Sequence, residues 1–198
     1  MVKVPDFDAV YRKDSDPWQV HSSFYEQRKL AIVLATLSQL RYERAWDPAC
    51  GVGELVLRLA ERCGSVLASD ASTVAVDLTA QHTAGDPRIT VREVTLPAAA
   101  ASLGGGGFDL VVLSEFMYYL DAPARSATLT SLSTVSVPRA EVVSLHWRHQ
   151  PGDAWLSGAA TQLEITAALT GRGWQHLVHH ADKDFILDTF RRGDSSDD

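Results

Sequence analysis

The chain has 198 residues, 45% hydrophobic and 22% charged, with a formal net charge of −7. That is enough apolar chain to bury a core without disulfide or metal staples, and too apolar a chain to remain disordered. The acidity comes without any Lys/Arg cluster, which argues against nucleic acid or an anionic membrane as a partner.

Residues 1–20 read as irregular, with Pro5 and Pro17 as breakers. Ser22 or Ser23 caps a helix expected to run to about Leu40, carrying Leu30, Val33, Leu34 and Leu37 at helical spacing. Strands at 42–47, 65–70, 89–94, 108–113 and 140–146 then alternate with helices at 53–63, 73–83, 122–135 and 157–171. Such alternation predicts a parallel sheet covered by helices on both faces. Leu110-Val111-Val112-Leu113 is apolar on both strand faces and reads as the buried centre, entered through a Gly104–Gly107 loop. Pro138-Arg139 reads as the end of the 122–135 helix and the turn into the fifth strand. After Gly171-Arg172-Gly173, strands at 174–180 and 185–191 joined by a four-residue turn predict an antiparallel hairpin at the sheet edge. No repeat or linker is visible, so residues 1–193 are expected to be a single domain, its first forty residues a lid segment and helix, with 194–198 a disordered acidic tail.

The turn after the first strand carries most of the chemistry. Asp47-Pro48-Ala49-Cys50-Gly51-Val52-Gly53 leads into a helix expected to place Leu55, Val56, Leu59 and Cys63 on one face. Small residues there let a ligand approach the backbone, and the helix start offers free N–H donors. Asp70 ends the second strand, where an acidic side chain accepts from ribose hydroxyls in α/β nucleotide sites. The acidic-x-small-x-Gly-x-Gly pattern lacks the later glycine of dinucleotide turns.

This pattern resembles the motif of class I S-adenosylmethionine-dependent methyltransferases. Asp16-Pro17-Trp18, Phe24-Tyr25-Glu26-Gln27-Arg28-Lys29 and Phe108 to Leu120, ending Ser114-Glu115-x-x-Tyr118-Tyr119-Leu120, are similar to segments of the nodulation protein S family. The similar segments span roughly residues 7 to 147. The resemblance implies a Rossmann-like, seven-stranded, mostly parallel sheet with helices on both faces, its reversed seventh strand inserted between the fifth and sixth. It also implies S-adenosyl-L-methionine as methyl donor, leaving as S-adenosyl-L-homocysteine, with Trp18, Tyr25, Arg28, Asp47, Ala49, Cys50, Gly51, Gly53, Asp70, Ala71, Thr95, Leu96 and Ser114 as binding residues. Two departures stand out: Ala49 replaces the turn's first glycine, which is harmless if φ is negative there, and Thr95 stands where relatives carry an aspartate for the adenine amino group.

Candidate catalytic groups lie at strand ends: Glu115 and Tyr118 after the fourth strand, His146 and His149 around the end of the fifth. His146 also fits an interior histidine, and His179 and His180 read as solvated. His146 and His149 lack carboxylate or cysteine partners in register, so no metal is expected. The expected acceptor is a small molecule, most of all an amine on a sugar-like compound. O-methylation and a catalytically silent nucleoside-binding module remain open. Without a signal segment or an apolar run of ~18 residues, and with Cys50 and Cys63 as reduced thiols, the protein is expected to be cytoplasmic, a monomer or weak homodimer.

Overall fold

The computed structural model describes residues 4–105 and 107–194. Gly106 of the glycine loop and residues 195–198 of the expected acidic tail lie outside the described residues. Seven strands form one mixed sheet in the order β3-β2-β1-β4-β5-β7-β6, which is the expected Rossmann-like arrangement with its reversed last strand. The described strands and helices divide into two compact units, one over Pro5–Thr95 and one from Leu96 on. No helix among the described residues is long and apolar enough to cross a membrane.

In the first unit, β1 (Tyr42–Asp47), β2 (Cys63–Asp70) and β3 (Ile89–Glu93) are parallel, with Asp47 level with Ala68 and Asp70 level with Glu93. Helices α1 (Phe7–Lys13), α2 (Phe24–Thr36), α3 (Glu54–Ala60) and α4 (Thr73–His82) belong with them. Three expectations need correcting. Residues 7–13 are helical, not irregular: Asp6 caps α1 by accepting the Ala9 N–H at 3.1 Å, so Pro5 precedes a cap instead of breaking an element. Phe7, Val10 and Tyr11 recur at helical spacing, and Tyr11 is buried with Val52 and Ala75. Helix α3 stops at Ala60, and Cys63 starts β2. Its position on a helix face was therefore wrong; the strand takes it because the Tyr42 N–H already bonds the Arg62 carbonyl. Ser23, not Ser22, stands at the α2 N-cap, and that helix ends at Thr36 because Leu37 is extended.

In the second unit, β4 (Phe108–Ser114) is parallel to β5 (Ser136–Trp147), β5 is antiparallel to β7 (Phe185–Arg191), and β7 to β6 (Gln175–Ala181). Leu110 to Leu113 are fully buried, as their two-sided apolarity predicts. Helix α5 (Ala122–Val135) is capped by Asp121 and runs straight into β5, so Pro138-Arg139 lies inside the strand. There the register against β4 shifts, from Phe108 opposite Ser136 to Leu110 opposite Glu141, and Arg139 takes φ 62°. A bulge accommodates the proline, which cannot donate to a ladder. Helix α6 (Gly158–Thr170) is capped by Ser157.

Candidate active site

The loop after β1 turns on backbone that only glycine adopts cheaply. Gly51 has φ 55° and Gly53 φ 83°. A Cβ on Gly51 would stand 3.0 Å from the Tyr11 hydroxyl, and one on Gly53 3.0 Å from the Thr79 methyl. Ala49 is not at positive φ, so alanine costs nothing there. Thr79 anchors the loop by donating to the Gly51 carbonyl at 2.8 Å, and the Cys50 thiol donates to Thr79 Oγ1 at 3.5 Å. Burial beside Asp47 and Asp70 pushes the Cys50 thiol well up, so it stays a neutral thiol.

Asp70 organises this end of the first unit. One of its oxygens accepts the Gly51 N–H at 3.1 Å and the other the Ser72 N–H at 2.9 Å. Burial raises its carboxyl above the usual range despite these donors. The Ala71 N–H is a third backbone donor, and a carboxylate has about four lone-pair sites, so acceptor capacity remains for a ligand. Ala71 next to it is exposed, as is Thr95 beyond β3. Leu96, the first residue of the second unit after Thr95, is half-buried.

Asp47 is buried at 2% exposure, and its Oδ1 has no hydrogen-bond partner. Burial pushes its carboxyl up to about 7, against the Ala49 N–H, which favours the ion; the Asp70 charge adds to the rise. The unfolded chain ionises Asp47 near 3.8, before the folded one does. Stability should therefore fall as pH rises from about 4 to 7, by on the order of 4 kcal/mol in full. Asp47→Asn should remove this slope: urea melts should show the variant more stable than wild type at pH 8 and equal to it near pH 4. A difference independent of pH would relieve Asp47 of the burden.

The N-terminal segment folds onto the same unit. Asp8 accepts the Ser72 hydroxyl at 2.6 Å, joining α1 to the cap of α4, and the Tyr11 and Trp18 rings meet edge-on at 5.7 Å. Asp16 ties residues 16–21 together by accepting the Val20 and His21 N–H groups. Trp18 is exposed, while Tyr25 and Arg28 are half-buried on α2, where Lys29 lies over the Tyr25 ring at 4.8 Å.

In the second unit the structure brings together three of the four catalytic candidates. Ser114 ends β4, and Glu115 follows at φ 61°, a strained position for a residue with a side chain. The Glu115 carboxylate accepts both the Tyr118 hydroxyl and the Trp147 N–H at 2.7 Å, tying the exits of β4 and β5. Tyr118 packs edge-on against His146 at 5.2 Å. His146 is fully buried and its Nδ1 lies 3.1 Å from Gln162 Oε1. Gln162 uses its amide N–H groups on Ser144 O and Asp188, so its oxygen must accept and His146 Nδ1 must donate. The neutral ring then carries its lone pair on Nε2. His149 is separated from this group: it is exposed, its ring tilted against Trp147 at 5.0 Å. Arg148 donates to the Asp182 carbonyl and its N–H to Asp184 O, so it braces the hairpin turn. Burial pushes the Tyr119 phenol up to about 12.

Sequence reasoning missed Tyr11, Asp8, Gln162 and Asp188. Asp188 alone had a signal, a charged residue in the otherwise apolar run Phe185 to Phe190. His179 is exposed, as expected, and also lies 2.7 Å from Asp188 Oδ1.

A doubly wound sheet with a glycine turn after β1 and an acidic residue ending β2 defines the class of nucleoside-cofactor-binding α/β proteins. Residues 45–139 match the methyltransferase domain family. A Pseudomonas syringae protein provisionally described as a methyltransferase is 34% identical, with 86% of this chain and 100% of that one covered at a TM-score of 0.70. The N-methyltransferase NodS from Bradyrhizobium japonicum WM9, solved with S-adenosyl-L-homocysteine, is 19% identical, with 94% and 96% covered at a TM-score of 0.78. An O-methyltransferase family protein from Burkholderia thailandensis is 16% identical, with 96% of this chain and 63% of that one covered at a TM-score of 0.69. A comparison with curated proteins gives no match. The chain belongs to the class I S-adenosylmethionine-dependent methyltransferases. Its fold is NodS-like.

Proposed function

We propose that this protein methylates the amine of a small, hydroxyl-rich acceptor such as an amino sugar, with S-adenosylmethionine held by the loop from Asp47 to Gly53. The observation that carries the cofactor placement is the buried, unpartnered Asp47 oxygen at the start of a turn whose two glycines stand at positive φ. A cationic ligand suits that oxygen, and the ligand needs no phosphate contacts from the loop. Ala49, Cys50, Gly51 and Gly53 border the methionine end; Asp70 takes the ribose hydroxyls; Ala71, Thr95 and Leu96 border the adenine. Trp18, Tyr25 and Arg28 close over the carboxylate end as a lid, and Ser114 completes the binding set.

When bound, the cofactor supplies a methyl group on a sulfonium, which passes in line to the acceptor nitrogen as the C–S bond breaks towards sulfur. Positioning supplies most of the acceleration in such a displacement. Glu115 and Tyr118 act as one hydrogen-bonded pair that orients the acceptor amine. His146, with its lone pair set on Nε2 by Gln162, is the proton acceptor; His149 is the second candidate for that role. The acidic chain favours an acceptor that is cationic in solution.

Turnover on a panel of amines and phenols tests this. We expect amines to be methylated, and His146→Ala to lose about a hundredfold in kcat, the scale of general base catalysis. Glu115→Gln should raise KM for the amine while leaving cofactor affinity unchanged. Methylation of phenols alone would overturn the acceptor, and full turnover by His146→Ala would remove it as the base. Absence of S-adenosylhomocysteine binding in calorimetry would overturn the cofactor placement itself.

A further inference from the structure

The hairpin of β6 and β7 carries a cluster that methyl transfer does not use. In a regular strand, residues three apart face opposite sides. On β6 the register slips between His176 and Val178: His176 stands opposite Phe190 while Val178 stands opposite Thr189. The extra residue, Leu177, turns His176 and His179 to the same face, where both reach Asp188 of β7. His176 Nε2 lies 2.8 Å and His179 Nδ1 2.7 Å from the same oxygen, Asp188 Oδ1.

We propose that His176, His179 and Asp188 form a binding site for a divalent transition metal of the zinc class. The three donor atoms lie within 4.8 Å of one another, close to the spacing of ligands around an ion bound at about 2.0–2.2 Å. Two imidazoles and one carboxylate are a borderline-soft set that suits zinc over calcium or magnesium. The Asp188 side chain is 3% exposed, and its other oxygen accepts the Gln162 amide at 2.8 Å, which fixes it from behind as outer partners fix metal ligands. The His176 ring is stacked on Phe190 at 4.9 Å, which limits its rotation. A cavity of about 350 Å³ bordered by Leu163, Thr166, Ala159 and Ile186 opens on the cluster, so an ion has an entry path and a fourth position for water or a small ligand. On binding, each imidazole keeps one proton, now on its outer nitrogen, and the metal replaces two N–H···O bonds to one oxygen. A second cluster, His21, Glu54 and His82, is the weaker candidate because Arg58 already occupies Glu54 at 3.1 Å.

The test is zinc titrated into the full chain after chelation, read by calorimetry and thermal melts. We expect one zinc per chain at micromolar affinity and a raised melting temperature. His176→Ala and His179→Ala should each weaken binding at least about tenfold, and His82→Ala should leave it unchanged. Melts in chelator confirm that each variant is folded. Because a variant could lose structure, a second reading uses wild type alone: zinc should shift the ring NMR signals of His176 and His179 and leave those of His21 and His82 in place. No binding below millimolar zinc, binding indifferent to both substitutions, or shifts confined to His21 and His82 would each overturn the site.

Discussion

Replacing Asp70 by alanine should weaken S-adenosylhomocysteine binding tenfold to a hundredfold. A hydrogen bond to a charged group is worth about 1.5–3 kcal/mol, and every 1.4 kcal/mol is a factor of ten. The carboxylate also holds the Gly51 and Ser72 N–H groups, so its loss loosens the loop as well as removing the proposed ribose acceptor. Calorimetric titration of wild type, Asp70→Asn and Asp70→Ala separates the two effects. The asparagine keeps one oxygen and should retain part of the affinity; alanine keeps neither. Wild-type affinity in Asp70→Ala, with only a lowered melting temperature, would reduce Asp70 to a brace.

Gly158→Ala should be the most destabilising single-methyl change in the second unit. A Cβ there would sit 1.8 Å from the Trp147 carbonyl oxygen and 2.7 Å from its carbon. That neighbour is backbone, so the contact is relieved only by moving α6 away from the end of β5. The Gly158 N–H bonds His149 O, and the Ala159 N–H bonds Arg148 O, so the move breaks these as well. A cost of about 3 kcal/mol, the upper part of the usual overpacking range, lowers the melting temperature by about 6–12 °C for a chain of this size. Gly152→Ala, with nothing within 4 Å, is the control and should leave it unchanged. Equal melting of the two variants would show that α6 can shift without cost.

The strand and helix alternation, the reversed final hairpin and the glycine turn were legible because each is written in neighbouring residues. Two-sided apolarity marks β4; Gly51 and Gly53 mark a turn needing positive φ; Asp70 marks a strand end. The same local reading failed where a cap outweighed a breaker, as at Asp6 beside Pro5, and where a strand claimed what a helical period had assigned, as at Cys63.

The sequence by itself therefore determined the class, the sheet and the glycine turn after β1, since periodicity and backbone preference act over a few residues. Only the tertiary structure decided which side chains share work. Glu115 meets the Trp147 N–H across two strand exits, Asp8 meets Ser72, and Gln162 sets the proton on His146 while holding Asp188. The bulge at Leu177, which turns two histidines to one face, is likewise a matter of pairing register. Such contacts join residues far apart in the chain and are set by packing, for which one strand's pattern carries no mark.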